Sequence, residues 1–449
     1  MNFSKYKAQY SKTLSLAVPV IFSQMGQVIV QMADNAMVGR LGAVPLAAVA
    51  FGGTVIFILF IFGMGMSIGL TPIIGELLAQ RKYREQSAYL RNGIVLYALM
   101  GLAIFALQYL TIPLLKYMGQ PEEVVAMSIP YYKYLMWSMI PFMLFAPLKQ
   151  FLEGIGNTKA PMVILIAANV LNVILNWIFI YGNLGSPAMG AAGAGLATMI
   201  SRIMCPVLGT AYFLCNDSLR RYVRLMSRSG LSRFHMRSLT KMGLPIALQM
   251  TMESSAFVIT TIMMGWISTT ALAANQIAIT MSNMAFMIVM GIGSATTIRI
   301  SYEYGLRDYA ALRLANTASY HIGLLWNAAT ALLFITLRNY IPMIFTSDPE
   351  VIRVASQLMI MTTVFQFSDG LQCVSMGILR GIQDVKITAV IAAFSYIIIN
   401  LPVGYFIAFN LGGGAPGLWG GYIFGLSIAA FLLNRRYRNK LKVLSAAAD

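Results

Sequence analysis

Apolar residues in this chain gather into long runs, without the regular wet face of an amphipathic surface helix. Cut at charged residues and at Gly, Pro and Asn punctuation, the runs number twelve: roughly 14–38, 46–72, 92–118, 127–150, 161–182, 188–214, 241–266, 270–298, 317–345, 351–379, 387–409 and 415–433. A helix of about 20 apolar residues crosses the hydrocarbon of a bilayer. The pattern therefore predicts an all-α integral membrane protein with twelve transmembrane helices. The first run continues through Asp34 and has no small-residue cleavage site, so it reads as a first helix and not as a signal peptide.

Composition sharpens this. Of 449 residues, 58% are hydrophobic and 10% charged, where an ordinary soluble domain has about 25% charged. So few charges cannot clothe a soluble surface, and so many apolar residues exclude disorder. The charges are lopsided, with 32 Lys and Arg against 15 Asp and Glu, a formal +17. In a soluble protein that excess points to nucleic acid. Here the spans supply another cause. With the N-terminus in the cytoplasm, 26 of the 32 basic residues fall on the cytoplasmic side, and Arg40, Lys116, Lys133, Arg202, Arg338 and Arg353 lie elsewhere. Segments 183–189, 267–270 and 410–414 on the opposite side carry no charge. This is the positive-inside pattern. It predicts an even number of spans, both termini cytoplasmic, the lipid bilayer as the partner and no nucleic acid.

The chain also resembles itself at an offset of about 227 residues. Glu153-Gly-Ile-Gly-Asn-Thr-Lys159 pairs with Arg380-Gly-Ile-Gln-Asp-Val-Lys386, and Gly185, Gly190 and Gly193 pair with Gly412, Gly417 and Gly420. Pro19, Gly39 and Leu46 pair with Pro245, Gly265 and Leu272 at 226, and Gly63 and Gly65 with Gly291 and Gly293 at 228. Each repeat holds six spans, so the two have the same orientation. The expected architecture is two six-helix lobes related by a pseudo-two-fold axis along the membrane normal, as in secondary transporters. The expected organisation is an N-lobe at 1–216, a basic cytoplasmic linker at 217–240 and a C-lobe with its tail at 241–449. Nothing demands more than a monomer.

Candidate chemistry lies in the scarcer charge. Twelve of the fifteen carboxylates fall in loops, at helix ends or at the C-terminus, which leaves Asp34, Glu253 and Asp369 inside spans. A charge at mid-bilayer is expensive, so such residues usually line a path or a site. The bland alternative is a protonated carboxyl bonded to a neighbouring helix. Gln27 shares a face of the first span with Asp34, and Asn172 and Asn176 share a face of the fifth at i, i+4. One carboxylate with amide oxygens suits a hard cation or a proton relay. Glu253 occupies the repeat position of Gln27, and Phe365 lies one turn before Asp369. Arg202 sits well inside a span and needs a partner, with Asp34 as one candidate, or a route to water.

Other chemistries find no support. The sequence has no P-loop, no metalloprotease or serine-hydrolase motif, two histidines and three unpaired cysteines, Cys205, Cys215 and Cys373. No enzyme, cofactor or ATP-driven pump is expected, which leaves an ion gradient or the substrate's own gradient as the energy source.

At this point the residues resemble a known family. The series Pro19, Gln24, Asp34, Gly39, Gly42 and Leu46-Ala47-Ala48, followed by Gly154 and Asn157-Thr158-Lys159, is similar to that of the MATE family of multidrug and toxic compound extrusion transporters. Glu253, Ala273-Ala274-Asn275-Gln276-Ile277 and Asp369 resemble its NorM-like branch. The resemblance implies a bacterial inner-membrane antiporter that exports organic cations in exchange for Na⁺ or H⁺ by alternating access. It implies that Glu253 and Asp369 are the C-lobe cation and coupling residues, with Phe257, Phe365 and Gln276 lining the same cavity. It also implies an N-lobe polar site of Asp34, Asn172, Asn176 and Thr198 beside Gln27. Na⁺ would sit at Glu253 and Asp369, or at Asp34, Asn172 and Asn176. One departure is Phe365, where the NorM-like pattern tends to have tyrosine, so a phenol oxygen is missing. An exporter or flippase of lipid-linked or oligosaccharide intermediates shares the architecture and is the alternative reading.

Overall fold

The computed structural model describes residues 3–446, and every regular element among them is helical. Twelve helical segments, from 23 to 38 residues long, are apolar enough to cross a membrane. A 23-residue helix is about 35 Å long, which exceeds the roughly 30 Å of hydrocarbon. The helices divide into two compact units.

One unit takes in residues 22–247. It holds most of α1 (Phe3–Gly39), then α2 (Ala43–Ile68), α3 (Leu70–Ala79), α4 (Tyr83–Thr111), α5 (Glu122–Gly154), α6 (Lys159–Tyr181), α7 (Ala191–Cys215), α8 (Asp217–Arg228) and the start of α9 (Arg233–Ile267). Together α2 and α3 make one span, Ala43–Ala79. The other unit takes in the chain up to Ile21 and from Leu248 onward. It holds the rest of α9, then α10 (Thr269–Leu306), α11 (Tyr309–Thr336), α12 (Pro349–Gly381), α13 (Val385–Ala393), α14 (Leu401–Tyr405) and α15 (Gly414–Ala446). The boundaries fall inside α1 and α9, two residues beyond Pro19 and Pro245. A proline inside a helix removes one backbone hydrogen bond and favours a bend.

Local chemistry sets the helix ends. Ser268, Asp308 and Asp348 accept from the backbone N–H of Ala271, Ala311 and Glu350 at 3.0, 2.9 and 2.9 Å, capping α10, α11 and α12. The eleventh span, Val385–Asn410, alternates α- and π-helical turns around Pro402, whose ring supplies no N–H to the ladder. The repeat extends to the backbone. Arg81 and Arg307, Gly156 and Gln383, and Gly185 and Gly412 are matched positions, and all six have positive φ.

Three expectations about boundaries change. The apolar runs 92–118 and 317–345 overshoot their helices, which stop at Thr111 and Thr336 and give way to short 3-10 turns at Pro113–Tyr117 and Pro342–Ile344. Apolar connecting residues such as Tyr117 and Ile344, 85% and 80% exposed, carried the pattern past the helix ends. The basic segment after the sixth span contains a helix, α8, capped by Asn216, which accepts from Ser218 N at 3.0 Å. Leu219 and Tyr222 of α8 are buried, and the Arg221 guanidinium lies 4.2 Å from the centre of the Tyr83 ring. Finally, α10 and α12 run past their apolar stretches, so Arg299 and Arg380 lie within them.

Small residues bring the helices close. Thr297 Oγ1 of α10 donates to Gly377 O of α12 at 3.0 Å. On α15, a Cβ at Gly421 would lie 2.5 Å from Asn400 O and 2.6 Å from Gly404 Cα, whereas one at Gly420 would meet only Ile407 Cδ1 at 3.5 Å. Gly421→Ala is therefore expected to cost about 1–3 kcal/mol by overpacking. Gly420→Ala should stay within about 0.5 kcal/mol. Unfolding midpoints of the two variants in detergent test the contrast.

Candidate functional site

Each unit holds a membrane-embedded polar site of its own. In the unit of residues 22–247, a cavity of about 270 Å³ is lined by Gln24, Gln27, Asp34, Asn172, Thr198 and Arg202, among others. Asp34 and Gln27 reach it from one face of α1, as their seven-residue spacing requires. Behind the lining, the fully buried Asn176 donates from Nδ2 to Asp34 Oδ1. Asn172 sits between these groups and α7. In one orientation its oxygen accepts from Asn176 Nδ2 at 3.0 Å and its nitrogen donates to Thr198 Oγ1 at 3.3 Å. In the other, its nitrogen donates to Asp34 Oδ1 at 3.0 Å and its oxygen accepts from Thr198 N at 3.2 Å. An amide serves either way because its two ends have the same shape and opposite polarity.

Arg202 lines the same cavity and, among the described residues, is in no ion pair. It donates from Nη1 to Ser138 Oγ at 2.9 Å, and its guanidinium lies 5.0 and 5.5 Å from the ring centres of Phe60 and Phe142. Guanidinium over two aromatic faces is a favourable arrangement away from water. Lys149 also lines the cavity and reaches the buried Glu153 at 3.6 Å.

In the other unit, a polar network runs through α9, α12 and the eleventh span. Gln249 donates to Glu253 Oε2 at 3.3 Å and accepts at Oε1 from Arg380 Nη2 at 2.8 Å. The Gln249 amide therefore bridges Arg380 and Glu253 by hydrogen bonds. Tyr396, in the π-helical stretch, accepts from Gln372 Nε2 at 2.7 Å and lies beside both Glu253 and Asp369. Asp369 is buried on α12, close enough to Glu253 for the two carboxylates to act on each other. Among the described residues, Asp34, Glu253 and Asp369 take part in no ion pair. The same residues contain no cluster of three or more His, Cys, Asp or Glu of the kind that holds a transition metal.

Phe257 and Phe365 belong to one aromatic cluster. Their ring centres are 6.3 Å apart, edge to face; Phe257 stacks on Tyr422 at 4.6 Å, and Phe365 lies 5.3 Å from Trp419. Gln276 is elsewhere, on an exposed face of α10, and its neighbour Asn275 is the buried member, accepting from Trp419 Nε1 at 2.9 Å. Pattern reading missed Lys149, Gln249, Arg380, Tyr396 and Trp419. Arg380 carried a signal, since it stands in the repeat motif at the position of Glu153 with opposite charge.

A helical membrane protein with two internally similar halves and carboxylates inside the bilayer is a transporter in its class. The family model described as MatE matches the chain twice, at residues 19–178 and 245–406. The two matches reproduce the internal repeat. The probable multidrug resistance protein NorM of Mesorhizobium japonicum is 31% identical over 448 residues, covering 98% of this chain and 95% of that protein. The multidrug resistance protein NorM of Vibrio vulnificus is 31% identical over 437 residues, 96% of each. Among solved structures, an outward-facing multidrug resistance MATE family transporter of the MOP superfamily superposes with a TM-score of 0.89 at 21% identity, covering 98% of this chain and 97% of that one. The eukaryotic MATE transporter AtDTX14 gives 0.86 at 19%, covering 99% and 100%. The chain belongs to the MATE family of membrane transporters, and it is not an enzyme.

The Gln249 bridge yields a stability prediction. Gln249→Leu removes the acceptor that Gln249 offers Arg380 and one of the two donors to Glu253, the Tyr396 hydroxyl remaining as the other. The expected loss is about 1–3 kcal/mol, the cost of leaving buried polar groups unmatched. Gln276→Leu, on an exposed face, should shift stability by less than about 0.5 kcal/mol. Thermal unfolding in detergent distinguishes the two.

Proposed function

We propose that this MATE transporter is a multidrug efflux antiporter of a bacterial inner membrane, exporting organic cations in exchange for Na⁺ or H⁺. The observation that carries the reading is the pair Glu253 and Asp369, two carboxylates inside the membrane that act on each other and are in no ion pair among the described residues. Two negative charges in a low dielectric repel each other, and each is costly there. Any cation that enters relieves both terms. One organic cation and one coupling ion compete for that relief, so arrival of one favours departure of the other. This mutual exclusion is the physical basis of exchange.

The aromatic cluster of Phe257, Phe365, Trp419 and Tyr422 supports the substrate class, since ring faces attract apolar cations. With Phe at position 365, coordination of Na⁺ in this half draws on Glu253, Asp369 and the Tyr396 hydroxyl. Asp34 with Asn172, Asn176 and Thr198 forms a second cation or proton site in the other unit. The N-lobe, linker and C-lobe organisation, alternating access of the lobes and both termini in the cytoplasm complete the reading. It draws on the full-length similarity to NorM proteins and on the charge asymmetry of the loops.

Ethidium efflux tests the proposal, with Na⁺ and pH gradients imposed separately on cells and inside-out vesicles. Gradient-dependent ethidium movement is expected, and the ion that drives it is the coupling ion. Movement indifferent to both gradients would count against exchange. Glu253→Gln and Asp369→Asn should each lower coupled efflux at least about tenfold, the effect of removing roughly 1.4 kcal/mol of site energy, with the amount of membrane-inserted protein unchanged. Normal coupled efflux in both variants would sink the assignment of this pair.

A further inference from the structure

One groove lies outside both polar sites. It has a volume of about 830 Å³ and runs between α11, α12 and α15. Four basic residues line it, Arg313, Arg435, Arg438 and Lys442, and among the described residues no carboxylate does. All four are exposed, and among the described residues none is in an ion pair. Arg436, beside Arg435 on α15, is instead paired with Asp384 at 2.7 Å.

The lining changes character along the helices. On α15 it follows Ser427, Phe431, Arg435, Arg438 and Lys442, a single face at three- and four-residue spacing. From first to last, that face is about 22 Å long at 1.5 Å per residue. Its basic end coincides with the end of the apolar run, where the helix reaches the membrane surface. Its other end is lined by Leu371, Ala430 and Phe431, with Phe431 66% exposed. The Ser368 and Ser427 hydroxyls there bond each other at 2.8 Å, so no unmatched polar group faces that end from either serine.

We propose that this groove is a binding site for an anionic phospholipid. The phosphate headgroup would lie among Arg313, Arg435, Arg438 and Lys442, and an acyl chain along Leu371, Ala430 and Phe431. A free phosphate satisfies the basic end alone and leaves the apolar length open, whereas a phospholipid matches both ends. Clustered basic residues at the surface end of transmembrane helices attract anionic headgroups, each adding a similar increment. The groove backs onto the coupling site. Ser368, Leu371 and Ser375 face it from α12, while Asp369, Gln372 and Met376 on the same helix face the carboxylate network.

Lipid retention by the full-length protein tests the site. The delipidated protein in neutral detergent is offered palmitoyl-oleoyl phosphatidylglycerol, phosphatidylcholine with the same chains, or inorganic phosphate, and bound molecules are counted by native mass spectrometry. Phosphatidylglycerol should be retained at least tenfold better than phosphatidylcholine, and millimolar phosphate should not displace it. The double variant Arg435→Gln/Arg438→Gln should lose roughly thirtyfold, about fivefold for each charge. The charge-matched control Arg224→Gln/Arg228→Gln, on exposed positions of α8, should lose little. Ser427→Phe, which fills the apolar end, should weaken lipid retention with all four basic residues in place. Equal retention of phosphatidylcholine would overturn the proposal, and so would equal losses in the control. Displacement of the lipid by phosphate would reassign the groove to a soluble anion. The preference between the two lipids is read on the unmodified protein, so it stands even where a variant folds poorly.

Discussion

Hydrocarbon offers no hydrogen bonds, so every polar group that enters it must be satisfied by the protein. For the backbone this dictates helices, and the described chain has no other regular element. For side chains the same demand is met unevenly. Arg202 is satisfied by a serine hydroxyl and two aromatic rings. Arg299 donates to Gln9 and Thr13, and Arg380 to Gln249. Lys149 differs from these in having an ion pair with a buried carboxylate, Glu153. Asp34, Glu253 and Asp369 take part in no ion pair among the described residues, which is what the proposed cation site requires.

Neutral mediation also explains why the site tolerates positive charge so close by. A direct Arg380–Glu253 ion pair would cancel the negative charge on which the proposed cation site relies. Interposing Gln249 keeps both groups hydrogen-bonded without forming that pair. In the other unit Asp34 is held in the same spirit by two asparagines, with Arg202 turned toward Ser138 and the rings. The two halves reach the same electrostatic end with different residues, as their different carboxylate positions require.

Much of this was legible in the sequence, because a transmembrane helix announces itself by a long apolar run and a buried carboxylate by its rarity. Twelve spans, the repeat, and Asp34 with its amide partners follow from those signals. Helix ends were less legible, since apolar residues such as Tyr117 continue at the interface after the helix stops. Arg380 looked like a loop charge because α12 extends beyond its apolar run, and Lys149 because it stands at the end of the run 127–150, while α5 continues to Gly154. Gln276 and Asn275 show the finer limit. Adjacent amides on one helix differ by about 100° in direction, and only the packing of Trp419 selects Asn275 as the buried one. Tyr396 could not have been singled out, because the π-helical turns around it shift the register that helical spacing assumes.

The division inside α1 and α9 bears on how the protein is made. The unit of residues 22–247 is completed only by the opening turns of α9, so the first half of the chain lacks its last packing element until the ribosome is well into the second. The opposite holds for the start of α1. Ile21 abuts Gly291, and Gln9 and Thr13 accept from Arg299, all on the same far-downstream helix. During synthesis that leading segment waits in the membrane without its partners for most of translation. Order of synthesis and order of packing are thus interleaved, and a chain severed between its two sequence repeats would give fragments each missing a helix end that the other carries.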